Sequence, residues 1–253
     1  MKNKSFLNHD KPLLVSMVQA ETPDRIKELM TLSLAEGAEA FGMQFCRLKP
    51  EYRTPEVYRE LFSFSSLPTY VTNYRYAHNE GKSDDELADG LLFLADCGAT
   101  LCDVMGDLFD RQDDELARDS EAIKKQMKII DELHAKGVEV LMSSHVFKFT
   151  PAERVLEIAL EQKRRGADIC KIVTGADTME EQIENLRIMN LLKEKLGAPF
   201  LFLAGGECHI SRRIGGTLGN CMSLCVHEHD EFATKAQPLL RDMKIITELM
   251  ENN

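Results

Sequence analysis

The chain repeats one unit: a short apolar, β-branched run followed by a longer amphipathic one, and few architectures accept that alternation. The apolar runs fall at 12–18, 40–45, 68–74, 100–105, 138–146, 167–174, 199–204 and 221–226. Helix starts are written between them. Thr22-Pro23-Asp24, Thr54-Pro55-Glu56 and Thr150-Pro151 each place a capping side chain before a proline that fits the first helical turn. Ser83 to Glu86 opens another helix, and Thr178 to Glu181 has the spacing of a capping box. Gly37-Ala38, Gly98-Ala99, Gly166-Ala167 and Gly197-Ala198 close helices in the same way each time. The charge pattern predicts a long helix over 113–137 and a closing helix over 237–250. Eight such units in 253 residues predict an α/β protein, a single-domain (β/α)8 TIM barrel spanning 1–253. An open doubly wound sheet is the runner-up, but no GxGxxG follows the first run, which argues against a dinucleotide site.

Charge and cysteine usage narrow the partners. A net charge of −11 disfavours nucleic acid and anionic membrane surfaces. No apolar run approaches the roughly 20 residues of a membrane span, and the start lacks the apolar core of a signal peptide. Seven cysteines, an odd number without a CxxC, fit reduced thiols in a cytoplasmic protein. His227-Glu228-His229 and Cys208-His209 offer metal-ligating side chains, but neither has the spacing of a familiar zinc site, and no metal is expected.

The chemistry is expected where the barrel's strands end. Lys171 sits within Ala167–Thr174, an apolar run that reads as a fully buried parallel strand. An ammonium there needs a partner or a purpose; burial favours the neutral amine, which attacks carbonyls. Snorkelling to water or pairing with a carboxylate is the structural alternative. The preceding strand ends on His145, so a lysine and a proton-transfer group stand on neighbouring strands. Cys170 adjoins Lys171 but alternation turns it to the other face. Gln44, Arg75, Asp103, His209, Ser211, Arg212, Arg213 and Gln237 complete the polar set near strand ends. Three arginines there suit a small anionic substrate, a carboxylate or a phosphate.

These segments resemble a known family. Ser143-Ser144-His145…Thr150-Pro151 is similar to the Ser-Tyr-His…Thr-Pro segment of the type I 3-dehydroquinate dehydratases, and Gly166-Ala-Asp-Ile-Cys-Lys171-Ile to their Gly-Ala-Asp-Ile-Val-Lys-Ile. Thr72-Asn73-Tyr74-Arg75 with Glu80-Gly81 resembles their Phe-Thr-Phe-Arg…Glu-Gly-Gly, and Ser211-Arg212 their Ser-Arg. The resemblance implies a TIM-barrel lyase without a cofactor. In it Lys171 forms a Schiff base with the substrate ketone and His145 moves the α-proton. Arg75 and Arg212 hold the carboxylate and hydroxyls, and Gln237 belongs to a closing loop. It also implies a homodimer. Two of the family's acidic positions differ: the second-strand Glu-x-Arg is Gly42 and Gln44 here, and the fourth-strand Asp-Val-Glu ends on Met105. The expected reaction is dehydration of 3-dehydroquinate to 3-dehydroshikimate; the alternatives are a Schiff-base dehydratase or aldolase-type enzyme acting on another small oxo-acid, and a barrel that binds a carboxylated metabolite without turnover.

Overall fold

The computed structural model describes residues 4–251. Eight strands form one parallel sheet: β1 (Leu13–Val18), β2 (Ala40–Gln44), β3 (Thr69–Thr72), β4 (Leu101–Met105), β5 (Glu139–His145), β6 (Ile169–Gly175), β7 (Phe200–Gly205) and β8 (Met222–Cys225). Helices α1 (Pro23–Glu36), α2 (Pro55–Ser63), α3 (Asp84–Cys97), α4 (Ser120–Ala135), α5 (Ala152–Arg164), α6 (Met179–Lys195), α7 (Ser211–Ile214) and α8 (Leu240–Glu251) follow the strands in turn. The strand order runs β7-β6-β5-β4-β3-β2-β1-β8, so β1 to β7 pair in sequence order and β8 returns to β1. This is the expected (β/α)8 barrel.

The cap signals act as read. Ser83 and Thr178 each form a complete capping box, with Glu86 and Glu181 as the reciprocal partners. Gly37 and Gly98 end their helices at φ +92° and +118°, a region that L side chains enter only with strain. Two boundaries differ. Thr150 does not cap α5; its hydroxyl bonds the Lys148 carbonyl at 3.1 Å and Pro151 stands at the cap position. More consequentially, the helix predicted over 113–137 begins only at Ser120, where the Asp119 carboxylate accepts from the Glu121 and Ala122 amides. Residues 106–119 form a loop over the strand ends.

Strand alternation divides the core in two. Leu13, Val15, Met17, Ala40, Tyr70, Leu101, Leu141, Ile169, Leu201, Met222 and Leu224 point inward and fill the barrel, and Phe6 plugs its lower end against Tyr70. The alternate residues, Cys170 and Ile172 among them, pack outward under the helices, as alternation requires.

The seam between β7 and β8 is closed by one backbone bridge, in which the Cys221 amide donates to the Phe200 carbonyl at 2.9 Å, and by a side chain. Asn220 accepts from the Phe202 amide at 2.8 Å and donates to the Phe202 carbonyl at 3.0 Å, standing in for a strand. It is 3% exposed, so truncation leaves both Phe202 groups unpaired in a dry place. Asn220→Ala is therefore expected to lower unfolding free energy by roughly 2–4 kcal/mol, read by urea denaturation. A loss below about 0.5 kcal/mol would mean that the seam is held elsewhere.

Candidate active site

Lys171 lies on the inward face of β6, opposite Ser143 of β5, and is 5% exposed. Its ammonium is caged. Nζ bonds the Tyr74 hydroxyl at 2.9 Å, the Tyr70 hydroxyl at 3.0 Å and Asp103 Oδ2 at 3.2 Å. The two phenols also donate to Asp103 Oδ2, and Ser143 Oγ donates to Oδ1 at 2.5 Å. One buried carboxylate thus collects three hydroxyls and the lysine. Burial, reinforced by the Asp103 charge, holds both tyrosines protonated well above their ordinary pKa, so each remains a donor toward Asp103.

Space for this cage comes from Gly42. A Cβ there would collide with the Met17 sulfur and lie 3.1 Å from the Tyr70 ring. A side chain where the family carries its second-strand Glu would require the end of Met17 to move aside and Tyr70 to shift.

His145 ends β5, two residues beyond Ser143 and on the same inward face. Its Nδ1 lies 2.8 Å from Glu115 Oε2, which also accepts the His145 backbone amide at 2.8 Å. Glu115 thereby fixes the ring and leaves Nε2 for a ligand. The Tyr74 ring meets the imidazole edge-on at 5.4 Å and Phe147 stacks on it at 5.7 Å.

Glu115 was not legible as a site residue: its acidic surroundings read as a helix start. Its backbone sits at φ +46°, an unfavourable conformation for glutamate that the surroundings enforce. The Ser144 hydroxyl holds its carbonyl at 2.8 Å. Arg165, 2% exposed at the end of α5, donates to the carbonyls of Gly106 and Ala117 at either end of the loop and to Gln126 Oε1. Gln126 in turn donates to the Gly106 and Leu108 carbonyls. The loop is a rigid support, and it delivers beside His145 the carboxylate that Met105 cannot supply.

Lys171, His145, Glu115 and Tyr74 border a single cavity of about 590 Å³ at the carboxyl ends of the strands, within the size range of small-molecule sites. Gln44, Arg75, Arg212 and Gln237 also line it, as the sequence predicts, together with Gln19 and Arg47. Asp103 lies beneath, against Lys171. His209, Ser211 and Arg213 do not reach the cavity: His209 Nδ1 sits on the Gly206 carbonyl at 3.1 Å, Ser211 is buried and Arg213 is exposed.

The arginines differ in what they can offer. Arg75 makes four hydrogen bonds, two to Asp84, one to the Asp107 carboxylate and one to the Asp107 carbonyl, so its charge is already answered. Arg212 is 8% exposed and donates through Nε to the Ala204 carbonyl at 2.6 Å. It has no ion-pair partner among the described residues, and burial pushes its pKa down to about 10. An arriving anion would restore its charge balance. Gln237 lies in the loop before α8, three residues outside the helix predicted to include it, because a parallel bridge between Val226 and Leu239 delays the helix start. Gln44 accepts the Tyr76 hydroxyl.

The candidate metal ligands disperse. His227 faces Glu36 at 3.0 Å, Glu228 pairs with Arg25, and His229 Nε2 lies 2.8 Å from the Gln237 carbonyl. No group of three or more His, Cys, Asp or Glu side chains suited to a metal occurs among the described residues. No helix among them is long and apolar enough to cross a membrane.

Known proteins match this chain and its fold. The model of the type I 3-dehydroquinase family matches residues 55–253. A 3-dehydroquinate dehydratase of Methanosarcina acetivorans is 30% identical over 215 residues, covering 79% of this chain and 81% of the relative. That of Lactiplantibacillus plantarum is 28% identical over 127 residues, 49% of each chain, and this chain spans about half the length of several such curated relatives. The solved 3-dehydroquinate dehydratase of Geobacillus kaustophilus superposes with a TM-score of 0.81 at 14% identity, covering 98% of this chain and 96% of that one. The type I enzyme of Clostridium difficile, solved with covalently modified comenic acid, gives 0.78 at 17%, covering 96% and 94%. With the barrel and the ordered Lys and His segments, the match places the chain in the type I 3-dehydroquinase family.

Proposed function

We propose that the protein is a hydro-lyase that dehydrates 3-dehydroquinate to 3-dehydroshikimate through an imine on Lys171, with His145 as acid and base. The observation that carries this is a lysine amine held in a buried cage at the floor of a cavity whose wall presents a carboxylate-oriented histidine. Asp103 Oδ2, 3.2 Å from Nζ, is the base that takes the ammonium proton and frees the amine. The amine adds to the ketone, and the carbinolamine hydroxyl leaves as water with the proton that Asp103 took, giving an iminium that faces the restored Asp103 carboxylate. The iminium acidifies its α-carbon. His145 Nε2 takes that proton, and Glu115 stabilises the imidazolium. The same histidine returns the proton to the departing hydroxyl, so a second water leaves. Hydrolysis of the product imine, which consumes one water, then regenerates Lys171.

Arg212 takes the substrate carboxylate, because it is the buried guanidinium without a carboxylate of its own. Arg75 acts through Asp84 and Asp107, bracing the loops after β3 and β4 rather than gripping substrate. Gln44 and Gln237 meet hydroxyls. No cofactor enters this scheme. The seven free thiols support a reducing compartment, the cytoplasm. The homodimer rests on the family resemblance alone.

Borohydride reduction in the presence of 3-dehydroquinate, followed by peptide mass mapping, tests the assignment. A stable adduct on Lys171 is expected, together with dehydration in solution. An adduct without turnover points to the same imine chemistry on another oxo-acid. A folded protein that traps neither dehydroquinate nor other small oxo-acids would overturn the imine.

A further inference from the structure

Across the mouth from Lys171, after β2, stands a cation that the chemistry above leaves unused. The Arg47 guanidinium packs against two rings, Tyr76 and Phe232, each with its centroid 5.0 Å from Cζ. Its Nε is buried without a hydrogen-bond partner, and no carboxylate lies within ion-pairing distance of it among the described residues. Glu231 and Glu115 are the acids that line the cavity; neither pairs with Arg47, and Glu115 is committed to His145. Aromatic rings pack on the faces of a guanidinium, and its in-plane edge carries the parallel N–H groups that suit a planar or tetrahedral oxyanion.

Gln19 follows β1, the strand paired with β2, lines the same cavity and is 5% exposed, and its Nε2 has no partner. Two buried donors without acceptors, Arg47 Nε and Gln19 Nε2, thus belong to residues lining one cavity after neighbouring strands, a state that costs free energy until a ligand supplies oxygen atoms. Arg212 stands three strands away around the barrel, after β7. The cavity therefore presents two separated guanidinium groups with no counter-charge of their own.

We infer that Arg47, with Gln19, forms a second anion subsite, fitted to the distal acidic group of an oxo-acid whose first carboxylate lies on Arg212. The inference rests on the reading above for that first contact only. Diacidic ligands bind there in preference to monoacids; a monocarboxylate such as 3-dehydroquinate presents hydroxyls to Arg47 instead.

Calorimetric titration of the full chain with straight-chain dicarboxylates from malonate to suberate, each beside the monocarboxylate of equal length, tests this. At least one dicarboxylate is expected to bind about tenfold more tightly than its monocarboxylate. Arg47→Met, which keeps an unbranched apolar stem against the rings, is expected to erase that preference while changing monocarboxylate affinity by less than about twofold; Arg47→Gln serves as a second variant should the first melt early. The subsite is wrong if no dicarboxylate is preferred, if none binds, or if the preference survives both substitutions. Borohydride trapping with 3-dehydroquinate is scored separately. A preference for diacids without trapping removes the dehydratase and keeps the subsite; trapping without the preference does the reverse.

Discussion

Asp103→Asn is expected to lower the free energy of unfolding by about 3 kcal/mol or more, and Lys171→Met by clearly less. The asymmetry follows from who donates to whom. Asp103 accepts from Lys171, Tyr70, Tyr74 and Ser143 at once and is 1% exposed. An amide in its place has one acceptor and brings two donors of its own. Three hydroxyls and an ammonium would then converge on a group that can answer few of them. Ionising the tyrosines is an unfavourable escape, since burial is the largest of the causes that hold them protonated. Removing the lysine is milder: the carboxylate keeps three hydroxyl donors and remains solvated by protein.

Urea unfolding of both single variants and the double variant measures this, and a coupling of roughly 1–3 kcal/mol is expected between the two positions. In thermal melts Asp103→Asn should fall by about 6–12 °C for a domain of this size. Equal losses for the two single variants would show that the cage is not organised around the carboxylate. On the proposed mechanism Asp103→Asn also slows turnover by about 100-fold or more, because the iminium loses its counter-charge and the lysine its base.

What could be read from the sequence was what local chemistry decides. The caps at Thr22, Ser83 and Thr178 and the left-handed glycines act within a few residues, so α1, α3 and α6 were foreseeable to within a residue or two. Strand periodicity and the barrel rule together put Lys171 and His145 on inward faces at neighbouring strand ends. The partners of those two residues were not foreseeable. Tyr70 reads as an ordinary β-former, and its meeting with Lys171 joins positions 101 apart in the chain. Glu115 follows two aspartates and has the composition of a helix start; its placement depends on Arg165, whose guanidinium grips the loop from the far end of α5. Arg47 carries no sequence signal, because its two rings come from loops after β3 and β8. The single local clue was a pair of absences: Gly42 and Met105 stand where the family has acids, and an acid missing from one element is a reason to look for one arriving from another.

Glu115→Gln tests whether that replacement acid acts on the chemistry or only on the loop. Glutamine keeps the length and can still accept from the His145 amide and from Nδ1, so the ring should stay in place. What is lost is the charge that stabilises the imidazolium while the α-proton resides on it. Turnover is expected to fall by about 100- to 1,000-fold, with KM little changed. Imine formation does not need that proton transfer. Borohydride should therefore still trap the substrate on Lys171 in Glu115→Gln, whereas exchange of the α-proton with deuterated water slows in step with turnover. A variant that turns over at the wild-type rate would remove Glu115 from the proton path, and one that loses trapping as well would make its role the folding of the loop. Met105 gives the converse experiment. It faces the cavity on β4 in register with Ser143, two residues short of His145 along the neighbouring strand. Restoring the family's acid by Met105→Glu in the Glu115→Gln background should recover part of the lost rate, since either element can bring a carboxylate to the same imidazole.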